Sequence, residues 1–314
     1  MRQLILTITL LSFVNSEALA LSLKDCKLDA SQKVESRDEH LFGGHPDDGA
    51  NTLYERRGYV ITYNENLKAP KWAAWHAMKE YRDTPERKGP WSSFRKDAEA
   101  ETASTEDYVG WYDSKENFAR GHIVPFFISG GDRNGNGKDA EYETTLKIED
   151  EDDACTVYEI NSMINITPQY HSRFNGNTGI WYTLETDVRR MVDAGQEFWL
   201  FAGTIFDETK KIQMIGDRDK TAAEWEIGVP HGLWKLVIHP DRNHAVAFLF
   251  DHQGDLLQGC SLDSKWPSHC IVKLDVLEKA TGLRFFDLID GRKKKSLRES
   301  STRDNWLDWL EHSD

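Results

Sequence analysis

Residues 165–189 read NITPQYHSRFNGNTGIWYTLETDVR, and the second half of this stretch decides how the rest of the chain is read. Across residues 179–194 the apolar positions are Ile180, Trp181, Leu184, Val188, Met191 and Val192. That is the i, i+4, i+8 stripe of an amphipathic helix packed on a core by one side. Gly195 follows as its stop, since glycine takes the left-handed conformation without a Cβ penalty. Asn177 lies just ahead of the helix, Glu185 about two turns in and Arg189 one turn later, so Glu185 and Arg189 share a face. An amide oxygen, a carboxylate and a guanidinium are thus carried along one element.

Working outward, GYVITYN (58–64) and APKWAAWHA (69–77) have the β-branched and aromatic content of strands. CTVYEINSMINI (155–166) is expected to be a β-rich run broken near Asn161-Ser162. Downstream, FWLFAGTIF (198–206), LWKLVIH (233–239) and HAVAFLFD (244–251) are apolar enough for strands buried on at least one face. Further helices are expected at 272–280, stopped by Gly282, and at 304–311. A polar loop bearing Lys and Arg runs through 81–105. Strands outnumber helices without βαβ alternation, so the expected class is α+β, with a central antiparallel or mixed sheet and packed helices.

Hydrophobic residues make up 39% of the 314 and charged residues 29%, which excludes a disordered chain. The 22 Gly and 9 Pro exclude a collagen-like or low-complexity one. The balance of 39 Lys+Arg against 53 Asp+Glu gives −14, which on its face argues against a nucleic-acid partner. Residues 139–153, however, hold eight acids and one Lys, hence −7, half of the total, and are expected to be a solvated loop. Basic residues cluster elsewhere, at Lys79, Arg82, Arg87, Lys88, Arg95 and Lys96, and again at 292–295.

At the N-terminus, Arg2, an apolar stretch at 4–14 and Ala18-Leu19-Ala20 have the layout of a signal peptide cleaved near Ala20. The apolar stretch is too short to cross ~30 Å of hydrocarbon. The mature chain, 21–314, is therefore expected to be exported, either secreted or periplasmic, without a membrane partner. Four cysteines in an exported chain suggest two disulfides, and four allow three connectivities. Cys260 and Cys270 flank a turn-rich segment, so Cys260–Cys270 with Cys26–Cys155 is the expected pairing; zinc ligation is the weaker alternative, as no CxxC spacing occurs.

Three clusters carry chemistry: Arg120-Gly121-His122 with Pro125, Asn165-Ile166-Thr167-Pro168-Gln169, and Asn177-x-Gly179-x-Trp181-x-x-Leu184-Glu185-x-x-x-Arg189. Singly, each is ordinary. A lone histidine in a strand is more often structural, and Glu185 with Arg189 would be a surface pair worth a few tenths of a kcal/mol. Jointly they supply an imidazole base, oxygen donors for a hard divalent cation and cations for a phosphodiester. There is no HExxH and no GxSxG, so a protease or esterase is disfavoured.

The ordered set RGHxxP, NITPQ and NxGxWxxLExxxR resembles the sugar-non-specific (DNA/RNA non-specific) endonucleases, which carry a ββα-metal finger. The likeness covers roughly 59–288. It implies one nuclease domain, with an acidic insertion at 130–153 and a basic, helical tail at 290–314. It implies hydrolysis of DNA and RNA with little sequence preference, leaving 5′-phosphate ends and using Mg2+ or Mn2+. On matching positions, His122 would be the general base and Asn177 the direct ligand of the hydrated ion. Glu185 would hold waters of the ion's hydration sphere, and Arg189 and Arg120 would meet the phosphate. Asn165 would brace the metal-binding helix against the histidine strand. The family often has Asp where Ala119 stands, and its further upstream arginine has two counterparts here, Arg87 and Arg95.

A second pattern is Asp132-x-Asn134-x-Asn136-Gly137-Lys138 through Glu143, the spacing of a twelve-residue calcium loop; the bland alternative is an acidic surface loop. The competing functions are a phosphodiesterase restricted to single strands or RNA, and a non-catalytic calcium-stabilised binding module. The joint presence of His122, Asn177 and Glu185 speaks against the latter.

Overall fold

A computed structural model of the chain describes residues 26–138 and 152–313, apart from 48 and 257. The expected signal peptide and residues 139–151 lie outside the described residues. In chain order, α1 (Ala30–His40) precedes β1 (Leu53–Glu55), β2 (Val60–Asn64), β3 (Ala69–Ala77) and β4 (Phe118–His122). Next come α2 (Asp152–Ile160), β5 (Ile166–Tyr170), α3 (Ile180–Asp193) and β6 (Phe198–Ile205). The chain continues through β7 (Gln213–Ile215), β8 (Ile227–Val229), β9 (Gly232–His239), β10 (His244–Asp251), β11 (Cys260–Ser261) and β12 (Ile271–Val272). It closes with α4 (Leu274–Thr281), α5 (Gly291–Glu299) and α6 (Arg303–Glu311).

The class is α+β. One mixed sheet runs β1-β2-β3-β6-β9-β10-β11, with β12 also on β10, and only β10 with β11 is parallel among its pairs. Its central strands β9 and β10 are buried on both faces, which is why LWKLVIH and HAVAFLFD read as unbroken apolar runs. One face, including Ile61, Trp75, Leu200, Val237 and Phe248, packs on the apolar stripe of α3 and on Trp306 and Trp309 of α6. The other, including Trp72, Phe201, Trp234 and Leu249, packs on Leu274 and Leu277 of α4, Phe285, Phe286, and Leu297 of α5. A helix–sheet–helix sandwich results.

Helix α3 matches its stripe, and Gly195 takes φ +88° just past its end. Helix α4 stops at Gly282, left-handed at φ +72°. Both expected disulfides form, Cys26–Cys155 and Cys260–Cys270. Two expectations fail. The run 155–166 is not β-rich: its first part belongs to helix α2, and only Ile166 enters a strand. The described side chains of α2 are buried all round, so Cys155, Val157 and Ile160 lack the one-sided stripe that marks a surface helix. The acidic tract is not solvated at its end, where Asp153 is buried and accepts from the Arg133 backbone N–H at 3.0 Å. Helix α1 gave no apolar signal because its buried residues are Ser36 and His40; a capping box between Asp29 and Gln32 starts it.

Candidate active site

Strands β4 and β5 form a separate antiparallel pair in which Arg120 faces Pro168, Gly121 faces Thr167 and His122 faces Ile166. Gly121 is there for space. A Cβ on it would stand 2.1 Å from Gln169 Cδ, because the Gln169 side chain crosses the strand at this point. Gln169 Nε2 donates to the His122 carbonyl at 3.2 Å, and its Oε1 accepts from Asn175 Nδ2 at 2.7 Å. Asn175 ends a single wide turn, His171–Asn175, closed by the Gly176 N–H on the His171 carbonyl at 2.6 Å. Turns of this i→i+5 type recur at functional sites. At its exit Gly179 passes so close to Phe174 that a Cβ would lie 2.2 Å from the Phe174 carbonyl oxygen. The start of α3 is thereby tied to the histidine strand, completing a ββα unit.

The His122 ring is half-buried against Phe94, with centroids 5.3 Å apart. Its Nε2 lies 3.0 Å from Asn161 Oδ1. Asn161 is fully buried, and its Nδ2 donates to the Trp91 carbonyl at 2.8 Å. That bond turns the amide oxygen toward the histidine, so Nε2 carries the proton and Nδ1 keeps the lone pair. Desolvation first, then the Arg87 charge, push the ring down to about 3 from 6.5, with Arg120 adding to them and the Asn161 bond opposing. The resting ring is neutral.

Asn165 is fully buried with its amide spent: Oδ1 accepts from the Val124 N–H at 2.8 Å, and Nδ2 donates to the carbonyls of Val124 and Ile160 at 2.9 and 3.0 Å. It clamps the end of β4 to α2 rather than to α3, contrary to the expected brace, because the residues before it fold as a helix. Asn177 is exposed in the turn before α3. Glu185 and Arg189 do share a face, yet no ion pair joins them among the described residues. Glu185 Oε1 binds Lys235 Nζ at 3.2 Å instead, and Arg189 donates to Thr186 Oγ1 at 3.3 Å. Lys235 is fully buried in the middle of β9, with its ammonium 3.9 Å from the Trp181 ring centroid and 5.4 Å from that of Trp75. Burial presses that ammonium down, and the Glu185 charge opposes the fall; burial likewise raises Glu185.

Arg120 is exposed and its guanidinium lies 4.5 Å from the Phe94 ring centroid. Of the two upstream arginines, Arg87 acts electrostatically on both His122 and Arg120, while Arg95 lies over the Tyr158 ring at 3.9 Å and donates to the Ser93 carbonyl. Of the two, Arg87 is the one whose charge acts on His122. In the calcium-like turn, Asp132, Asn134 and Asn136 accept from the N–H groups of Asn136, Gly137 and Lys138, while Glu143 lies outside the described residues.

An exposed Asn177 amide and one carboxylate already paired with Lys235 are too few donors to cage a bare ion. They suit a divalent ion that keeps most of its own waters, as Mg2+ does. Sequence reading missed Asn161 and Lys235. Lys235 did leave a signal, a lone ammonium inside an otherwise apolar buried strand, where lysine is rare unless paired.

The model of the DNA/RNA non-specific endonuclease family matches residues 43–291. Nuclease C1 of Cunninghamella echinulata var. echinulata is 26% identical over 246 residues, spanning 77% of this chain and 85% of its own. A protein named Nuclease from a Nostoc species is 24% identical over 280 residues, spanning 82% of this chain and 84% of its own. A crystal structure of the EndoG/EndoGI complex, concerned with EndoG inhibition, superposes with a TM-score of 0.58 at 19% identity. The match covers 86% of this chain and 96% of that one, and it speaks to the fold.

Proposed function

The chain belongs to the DNA/RNA non-specific endonuclease family, and from that premise we propose an exported, Mg2+-dependent enzyme that hydrolyses DNA and RNA to 5′-phosphate products with His122 as general base. The observation that carries the base assignment is the His122–Asn161 bond, which leaves Nδ1 as the proton acceptor. Nδ1 takes a proton from water, whose oxygen bonds to phosphorus as the P–O3′ bond breaks. One strand end keeps a 5′-phosphate and the other a 3′-hydroxyl. Arg87 and Arg120 hold non-bridging oxygens, and their contact with the phosphate anion offsets the arginine charges, the smaller part of what depresses His122 beside its desolvation. Arg189 is placed to stabilise the negative charge that develops on the phosphate oxygens. Glu185, kept in place by Lys235, orients waters beside Asn177. A divalent ion held by Asn177, Mg2+ or Mn2+ in its place, would supply charge compensation at the leaving oxygen and hydration waters as its proton source.

The test is incubation of mature protein with supercoiled plasmid, single-stranded DNA and RNA, with Mg2+ and with EDTA. Degradation of all three with Mg2+ and of none with EDTA is expected. Cleavage that persists in EDTA contradicts the metal assignment, and RNA-only cleavage supports the narrower enzyme.

A further inference from the structure

Beside β4 opens a groove of about 320 Å3, whose lining includes Arg87, Phe94, Val109, Tyr112, Arg120 and His171. It differs from ordinary surface in four ways. It is apolar yet open, with Tyr112 47% and Val109 67% exposed. The Tyr112 ring rests against His171, centroids 4.7 Å apart, which holds its position. Neither of its two arginines forms an ion pair among the described residues, though the Arg120 charge acts on Glu106. Arg120 lies on Phe94, and Arg87 lies 5.0 Å from the Phe126 ring centroid. Burial, and then the neighbouring Arg120 charge, press Arg87 below its usual range, as befits two cations with no anion between them. Finally, the groove adjoins the chemistry: Phe94 contacts both Arg120 and His122.

Unpaired guanidiniums beside an exposed, buttressed ring make a nucleotide site, with phosphate on the cations and a base on the ring. The volume lies at the small end for a ligand cavity and suits one nucleotide. We propose that this groove seats one unpaired nucleotide of the substrate strand next to the scissile phosphate, its base stacked on Tyr112 and its phosphates on Arg87 and Arg120. The inference rests on the nuclease reading above and narrows its substrate. Stacking uses the π-face that every base has and leaves the 2′ position untouched, so the subsite ignores both sequence and sugar. It requires the base to leave a helix, so a single strand binds more tightly than a duplex of the same length.

The test uses His122→Ala protein and a single-stranded 12-mer carrying one 2-aminopurine, whose fluorescence falls on stacking. Quenching is expected with His122→Ala and is lost in His122→Ala/Tyr112→Ala, with Kd raised about fivefold or more. Tyr112→Phe keeps the quenching and Tyr112→Leu, similar in bulk without a π-face, loses it. In the cutting enzyme, Tyr112→Ala raises KM on single-stranded DNA by the same factor, while exposed Trp266→Ala does not. Quenching that survives in the Ala and Leu variants overturns the subsite. Quenching that follows Tyr112 in a protein that cuts nothing overturns the nuclease reading instead.

Discussion

His122 shows how far a few neighbours move one group. Asn161, anchored on the Trp91 carbonyl, takes the Nε2 proton and leaves the lone pair on Nδ1. With the folded value pushed down to about 3, the ring stays neutral as pH falls below 6.5, whereas an unperturbed histidine would be mostly protonated by pH 5.5. The sign also fixes the stability effect. The unfolded chain takes up a proton near 6.5 that the folded ring refuses, so this group opposes folding increasingly as pH drops from 6.5 toward 3. An NMR titration of the substrate-free protein should place the His122 transition below pH 5, and Arg87→Gln should move it upward. A transition at or above 6.5 in the unmodified protein contradicts the described environment. His122, Arg120, Asn177 and Glu185 stand in spaced motifs, so the sequence offers them as candidates. Asn161 does not stand out, since its partner is 39 residues away, and Lys235 shows only as a lone ammonium in an apolar strand whose carboxylate partner is 50 residues away.

At the scale of elements, helix α3 was legible because its stripe is one-sided, and helix α2 was misread because burial on every side erases the stripe. The ββα unit depends on backbone closeness that only glycine allows. Gly121→Ala would drive a methyl into Gln169, which must then release the His122 carbonyl and Asn175. Overpacking of this kind costs about 1–3 kcal/mol. The expected result is a lowered Tm in a protein still folded at 25 °C, with kcat/KM reduced about tenfold or more. Wild-type kcat/KM in Gly121→Ala would show that the Gln169 bridge does not position the histidine. The unpaired Arg87 and Arg120 groove was invisible in the sequence for a related reason: its aromatic wall comes from the loop before β4 and the turn after β5.

For the whole molecule, the −14 charge describes the average surface, while phosphate contact is decided locally. Residues 139–153 carry half of it, and Arg87 and Arg120 form no ion pair among the described residues. The sandwich also separates roles. The sheet face under α3 and α6 carries the site through Lys235 and Trp181, and the face under α4 and α5 is structural core with the basic 292–295 run on its outer helix. The disulfide Cys26–Cys155 joins the N-terminal segment to α2, whose far end presents Asn161 to His122. The most direct test of the central claim is the plasmid-cleavage rate of His122→Ala beside the wild-type protein in Mg2+, with both melting curves recorded. A general base is worth typically ~10²–10⁴-fold, so the rate should fall by at least that much while the Tm changes little. Cleavage by His122→Ala at the wild-type rate would contradict the account.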